Sequence, residues 1–378
     1  MTQRLKPAIA ILLGTLVATC FTQPIKHKFL YVDAARCSLY CVDQNNPSAF
    51  WAAGGFTTNG HDIQLVGSNR VMASNQTAYF EFNIATGEKV VTVRNVNITN
   101  IQSARRLPDG RTILWCADKK FHYIDSTGTI LKTVQINDGG SYIRYFRITE
   151  QNTFIFGAGN ALLETDTNGV ILKSIPYGEC YKVLRTHDGM LYAANGHQQT
   201  LSKMDSNGNV KKVFGTGSPG FNYGYIADFN ILKNGHIVAT NWYSNSIGGG
   251  QSGRGIVEWD TSGAVVWSYD SARYRIDSPH ALIILDGLNT AVLNDERTGH
   301  VEPVGGIVGV TQRENAGSGG HDAVRGMQDL VRVGIGVAAP TGAWQDIARP
   351  GMFDMQGRRI LVSTGTCPFA PRAIFLNR

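Results

Sequence analysis

The sequence predicts an all-β fold, and three observations lead to that prediction. A hairpin turn that begins with Asp or Asn and ends with Gly three or four residues later occurs five times. The glycines of these turns are 41, 41, 39 and 55 residues apart. A second series of turns lies roughly 17 to 28 residues upstream of the first. Short β-branched or aromatic runs flank both series. Each repeat of about 40 residues therefore holds four short strands, which is typical of a β-propeller blade.

Each turn has a local physical reason. In Asp125-Ser-Thr-Gly128 the Asp side chain can bond the turn backbone, and Gly takes the position that needs a positive φ. The other downstream turns end at glycines 87, 169, 208 and 263, and the upstream turns end at residues 69, 110, 152, 189 and 235.

Five repeats are complete, and a sixth begins at Ala281 and stops without its second turn. Residues 29–33, 37–43 and 48–52 read as the second, third and fourth strands of that last blade. We expect this N-terminal segment to close the ring, because closure removes the exposed sheet edges. The sequence thus predicts a six-bladed propeller over residues 29–293, with seven blades as the alternative. The complete repeats are about 64–93, 104–136, 146–175, 183–215 and 229–270.

Composition narrows the class of protein. The chain has 378 residues, of which 43% are hydrophobic and 17% are charged, so it is neither disordered nor a coiled coil. The net charge of +6 is spread along the chain without a basic tract, so nucleic acid is not an expected partner.

The N-terminus predicts export. Residues 1–20 combine a short basic start, an apolar run from Pro7 to Val17 and small residues before Cys20, as in a signal peptide. Lipidation at Cys20 is an alternative. We expect no transmembrane segment in the mature chain. The remaining cysteines lack zinc-type spacing, and we interpret them as buried thiols.

The repeat cadence, including Gly263-Ala-Val-Val-Trp267, resembles the superfamily of quinoprotein-like, NHL-like and arylsulfotransferase-like propellers. The resemblance covers about residues 29–293. It implies the fold, and it implies as one possibility a chemistry that uses His and Arg at the centre of the loop face.

Two C-terminal segments follow the repeats. Residues 294–348 read as a linker or as loops packed on the propeller. Residues 349–378 resemble the sorting tail of type IX secretion substrates, on the strength of Phe353-Asp354 and Gln356-Gly-Arg358. That resemblance implies secretion machinery as a partner and a secreted or cell-surface location. If the tail is instead an ordinary hairpin, the expected location is periplasmic.

The propeller topology selects candidate site residues. Loops that lead into each innermost strand share one face with loops that join the second and third strands, and we call it the loop face. His61 and His280 have equivalent offsets before innermost strands, and Arg144 has nearly the same offset. These three are the catalytic candidates, since such a cluster could hold an anion or supply a general base. Alternatively, each His caps a strand by bonding the backbone.

The same face carries the ligand-binding candidates. Aromatic residues among Gly, Asn and Ser, as in 215–228 and 243–255, resemble sugar-binding surfaces. No metal motif appears and no cofactor is expected. The ligand-binding candidates are Lys182, His197, Tyr223, Tyr225, Trp242 and Tyr243.

Three functions remain open from the sequence. The first is an exported propeller that binds a glycan or an anionic small molecule on its loop face. The second is a propeller enzyme of arylsulfotransferase or lyase type, and the third is a structural surface scaffold.

Overall fold

The computed structural model describes residues 24–54, 62–95, 97–136, 143–196, 198–215, 224–242, 254–270 and 276–304. The predicted signal peptide, most of the segment after Asn294 and the C-terminal tail lie outside these ranges. Within them, no helix is long and apolar enough to cross a membrane.

Strands make up nearly all of the described secondary structure. In chain order they are β1 Lys28–Asp33, β2 Ser38–Asp43, β3 Trp51–Gly54, β4 Ile63–Gly67, β5 Arg70–Ser74, β6 Ala78–Asn83, β7 Lys89–Arg94, β8 Ile101–Arg106, β9 Thr112–Cys116, β10 Lys120–Ile124, β11 Ile130–Gln135, β12 Phe146–Ile148, β13 Phe154–Ala158, β14 Ala161–Thr165, β15 Ile171–Pro176, β16 Cys180–Arg185, β17 Leu191–Asn195, β18 Thr200–Met204, β19 Val210–Phe214, β20 Tyr225–Ile231, β21 Ile237–Trp242, β22 Arg254–Trp259, β23 Val265–Asp270, β24 Pro279–Ile284, β25 Asn294–Asp295 and β26 Glu302–Pro303.

Strands β1 to β24 form six antiparallel four-stranded sheets, the blades of the propeller. Blades one to five are β4–β7, β8–β11, β12–β15, β16–β19 and β20–β23, each in sequence order. Blade six has the order β24-β1-β2-β3, and Tyr31 of β1 lies opposite Leu282 of β24. The prediction of six blades closed by the N-terminal strands is therefore confirmed. The fourth strand of this blade begins at Trp51, because residues 47–49 form a 3-10 turn.

The repeated turns form as their residues dictate. Asp125 Oδ1 accepts the backbone N–H of Thr127 at 2.8 Å and of Thr129 at 2.9 Å, and Gly128 has a φ of +91°. Asp166, Asp205 and Asp260 each accept the same two backbone bonds. Satisfying these polar groups locally leaves the strands to pack by their apolar faces.

Apolar layers hold neighbouring blades together. Between blades two and three, Trp115, Phe121 and Phe156 are buried and their ring centroids lie 4.7 to 6.3 Å apart. No disulfide joins any two of the described cysteines; Cys41, Cys116 and Cys180 are buried and Cys37 is half-buried.

A hairpin after the last blade crosses the face opposite the loop face. Its strands β25 and β26 pair at Asp295 and Glu302. The Thr298 carbonyl accepts the N–H of His187 at 3.1 Å, His300 Nδ1 donates to the Ile231 carbonyl at 2.9 Å, and Arg297 donates to Asn152 at 2.7 Å. The hairpin thus touches the turns of several blades and closes this end of the central channel.

Candidate functional site at the loop face

Buried charged side chains fill the middle of the channel in the described part of the chain, and we call six of them the channel network. They are Asp62, Arg105, Arg147, Lys182, Asp228 and Glu296. Its three cations and three carboxylates lie next to a further buried carboxylate, that of Asp295, which lines the same cavity. Pairing each buried charge with an opposite one offsets the cost of its desolvation. The six side chains come from blades one to five and from the closing hairpin.

Glu296 joins the two halves of this network. It accepts Arg147 Nε at 2.6 Å and Lys182 Nζ at 2.6 Å. Burial alone raises the pKa of Glu296, but the positive charges of Lys182, Arg147 and Arg105 outweigh it and hold the pKa at about 2. The cavity beside Arg105 and Glu296 measures only about 10 Å³, so side chains fill the channel at this level.

Above the network, five side chains gather where innermost strands begin and where β21 ends. We call Arg144, Tyr181, Tyr225, Trp242 and His280 the loop-face cluster. Their ring centroids follow one another at 4.8 Å from Tyr181 to Tyr225, 4.9 Å from Tyr225 to Trp242 and 4.6 Å from Trp242 to His280. Propeller topology brings them together from blades three to six.

Arg144 adds a positive charge to this aromatic surface. Its guanidinium lies 5.2 Å from the centroid of the Tyr181 ring, within cation–π range. Nη1 donates to Gln102 Oε1 at 3.1 Å. Arg144, Tyr225 and Trp242 are half-buried, so part of each side chain faces solvent.

Glu179 places an acidic group at the edge of the cluster. Its Oε1 accepts the hydroxyl of Tyr225 at 3.2 Å. It too is half-buried. Among the described residues, the mouth of the channel therefore presents half-buried aromatic rings, a guanidinium and a carboxylate. This mixture suits a polyhydroxylated ligand with an acidic substituent.

His280 is held in place from blade six. The Asp33 carboxylate accepts the N–H groups of Asp277 at 2.8 Å and Ser278 at 3.2 Å, and this fixes the chain that leads into β24. His280 Nδ1 donates to the Ser278 carbonyl at 3.1 Å, which leaves Nε2 as the unprotonated nitrogen of the neutral ring.

The pKa of His280 is lowered to about 3. Burial is the main cause, and the nearby charge of Arg144 lowers the pKa further against the effect of the Ser278 carbonyl. The imidazole is therefore neutral at physiological pH and poorly matched to general-base catalysis there. It packs in the cluster as a buried neutral ring against Trp242.

The structure separates the sequence candidates into three groups. Arg144, Tyr225, Trp242 and His280 come together in the loop-face cluster. Lys182 lies below them in the channel network, where its ammonium contacts Asp228 and Glu296 at 2.6 Å each. His61, His197, Tyr223 and Tyr243 lie outside the described residues.

Other residues of the site were not chosen from the sequence. Tyr145 lies between the two layers, 6.1 Å from the Tyr181 ring and 5.3 Å from the Arg147 guanidinium. The sequence signal that could have identified these two residues was their position. Tyr145 follows Arg144, and Glu179 lies two residues before Tyr181. Glu296 carried none, because it follows the last repeat.

Comparison with known proteins supports the fold. No protein-family model matches the chain, and no curated protein matches it. A solved structure of a protein of unknown function from Bacteroides caccae is 15% identical, with a TM-score of 0.57 over 69% of this chain and 99% of that one.

Two further solved structures have lower TM-scores. A catalytically inactive virginiamycin B lyase from Staphylococcus aureus with quinupristin is 10% identical, with a TM-score of 0.49 over 68% of this chain and 92% of that one. The WD40 β-propeller domain of Doa1 is 14% identical, with a TM-score of 0.45 over 64% and 79%. At such identities the likeness concerns the propeller fold alone.

Proposed function

We propose that this protein is an exported propeller that binds a glycan carrying an acidic group at its loop-face cluster. The observation that carries the proposal is the convergence of the Tyr181, Tyr225 and Trp242 rings with the Arg144 guanidinium at the mouth of a filled channel. The half-buried Tyr225 and Trp242 rings can stack on pyranose faces, and the buried Tyr181 ring packs against both of them. Arg144 can pair with a carboxylate or sulfate. The half-buried Glu179 carboxylate supplies a partner for hydroxyl groups.

Of the two histidines proposed as catalytic, His280 is the one that lies in the described part of the chain, and it gives no support to general-base chemistry. A neutral, buried imidazole with a pKa of about 3 is a weak base at neutral pH. The scaffold alternative gives no reason for aromatic and charged groups to converge on one channel mouth.

A glycan array with the purified chain, followed by titration calorimetry on the hits, tests the proposal. Trp242→Ala should weaken binding at least about thirtyfold, because truncating a central aromatic contact removes 2 kcal/mol or more. Phe50→Ala removes a 38% exposed ring on blade six and should leave affinity unchanged.

Arg144→Leu tests recognition of the acidic group separately from recognition of the sugar ring. We expect it to abolish the preference for uronic or sulfated glycans over their neutral counterparts, while stacking on the rings persists. Binding of a free uronic acid with the same Arg144 dependence would point to an anionic small molecule instead. A folded protein that binds no array glycan and no free acid would overturn the proposal.

The export part of the proposal is tested separately. Fractionation of cells that make the full chain should find it at the cell surface or in the medium. Removal of residues 349–378 should retain it in the periplasm. Equal surface display of both chains would refute a sorting role for the tail.

A further inference from the structure

Blade two carries a group of metal-ligating side chains on the hairpin between β9 and β10. Cys116 ends β9, Asp118 lies in the turn and His122 is in β10. Their ligand atoms all lie within 4.8 Å of one another. Cys116 and His122 are buried, whereas Asp118 is exposed and opens the group to solvent.

The register of the hairpin explains this proximity. Leu114 pairs with His122 across the two strands, so these two side chains stand on the same face of the sheet. Cys116 is two residues beyond Leu114 and therefore shares that face, diagonal to His122. The turn is tight, with Lys119 at a φ of +62°, and it brings Asp118 over the pair.

Two hydrogen bonds orient the imidazole. His122 Nε2 faces Asp118 Oδ2 at 3.2 Å, and Nδ1 meets the Thr133 hydroxyl at 3.2 Å. A hydroxyl on the remote ring nitrogen fixes the ring and leaves the other nitrogen available to a metal. The donors are then Sγ of Cys116, Nε2 of His122 and a carboxylate oxygen of Asp118.

We propose that Cys116, Asp118 and His122 form a site for a divalent transition-metal ion, with Zn²⁺ the best fit. Thiolate, imidazole and carboxylate are the ligands that zinc takes in proteins, at about 2.0 to 2.3 Å from the ion. A tetrahedral ion would draw these atoms slightly closer together, which the exposed Asp118 side chain can accommodate. A fourth position remains for water or a ligand oxygen.

Metal binding should release one proton, and it should compete with an ammonium group for one of the ligands. The Cys116 thiol loses its proton to solvent when the metal–sulfur bond forms. Lys120 Nζ lies 3.6 Å from Asp118 Oδ2 and competes with the ion for that carboxylate. Removing the Lys120 ammonium should therefore tighten metal binding, an effect that an adventitious surface site elsewhere would not show.

Cobalt titration of the reduced, chelator-treated full chain tests the proposal. We expect one Co²⁺ per chain with a thiolate-to-cobalt charge-transfer band, and Zn²⁺ should displace it. Cys116→Ser should lose the band, whereas Cys180→Ser, which changes a buried thiol in blade four, should keep it. Lys120→Ala should bind Co²⁺ more tightly.

His122→Gln keeps the thiol and removes the nitrogen ligand, and it guards against a folding defect in Cys116→Ser. Its affinity for Co²⁺ should fall at least about tenfold. The proposal is overturned if the wild-type protein shows no charge-transfer band, or if the band survives unchanged in both Cys116→Ser and His122→Gln.

Discussion

Gly196 determines how closely the end of β17 approaches the Tyr225 ring. A Cβ at this position would lie 1.7 Å from Tyr225 Cζ, so any other residue would push the ring away. That ring lies between Tyr181 and Trp242 in the loop-face cluster. A residue with no side chain thereby decides the geometry of the proposed binding surface.

Gly196→Ala should disturb the cluster without unfolding the propeller. We expect overpacking to cost about 1 to 3 kcal/mol of stability and to change the near-ultraviolet circular dichroism of the aromatic rings. Glycan affinity should fall with it. Gly54→Ala is the matched control, because its Cβ would meet only Ser38 Oγ at 3.6 Å. Unchanged ring signals in Gly196→Ala would contradict this account.

At the scale of the blade, a buried glutamate recurs in every second repeat. Glu81, Glu164 and Glu258 each lie two residues before the downstream turn of blades one, three and five. Each pairs with a cation of the next blade: Arg106 at 2.8 Å, Arg185 at 2.7 Å and His27 at 2.8 Å, respectively. These pairs link blades two by two around the ring, in addition to the apolar layers.

Arg185→Ala tests the strength of such a link. Removing the guanidinium leaves Glu164 with its charge in a site where its side chain is only 10% exposed, so we expect a loss of about 2 to 3 kcal/mol. Arg111→Ala breaks a pair whose side chains are 46% and 49% exposed and should cost less than about 0.5 kcal/mol. Urea unfolding of both variants measures the difference, and equal losses would disprove an inter-blade role.

The blades were predictable from the sequence because each repeat contains, close together in the chain, the residues that form its turns. Asp125 and Gly128 are close in sequence, so the turn that they form is visible there. The site was partly predictable, because similar offsets at the starts of innermost strands place Arg144 and His280 on one face, although His280 lies within β24 rather than before it. Ring packing around Tyr225, the low pKa of His280 and the burial of Lys182 depend on contacts between blades, which no local pattern encodes.

At the scale of the whole molecule, closure of the ring depends on the join between the two ends of the repeat region. His27, just before β1, bonds Asp286 through Nδ1 at 2.5 Å and Glu258 through Nε2 at 2.8 Å. The first carboxylate follows β24, and the second belongs to blade five. One imidazole thus ties the N-terminal strands to both the last innermost strand and the preceding blade.

Because of this join, we expect the free energy of unfolding to depend on pH in the alkaline range. Burial alone lowers the pKa of His27, but its bonds to Asp286 and Glu258 outweigh it and raise the pKa from 6.5 to about 9. A raised pKa means that the ion pairs stabilise the fold fully below pH 6.5, and that this stabilisation is lost as pH rises through 9.

Between pH 6 and pH 10 we therefore expect the free energy of unfolding of the wild-type chain to fall by about 2 to 3 kcal/mol more than that of His27→Gln. Urea unfolding at each pH measures both proteins, and the difference between them removes the titration of all other groups. If the two pH profiles run parallel, His27 is not a charged link in the folded ring. If they converge at high pH, the join between the first and last strands is an ionic one, added to the backbone pairing of β1 with β24.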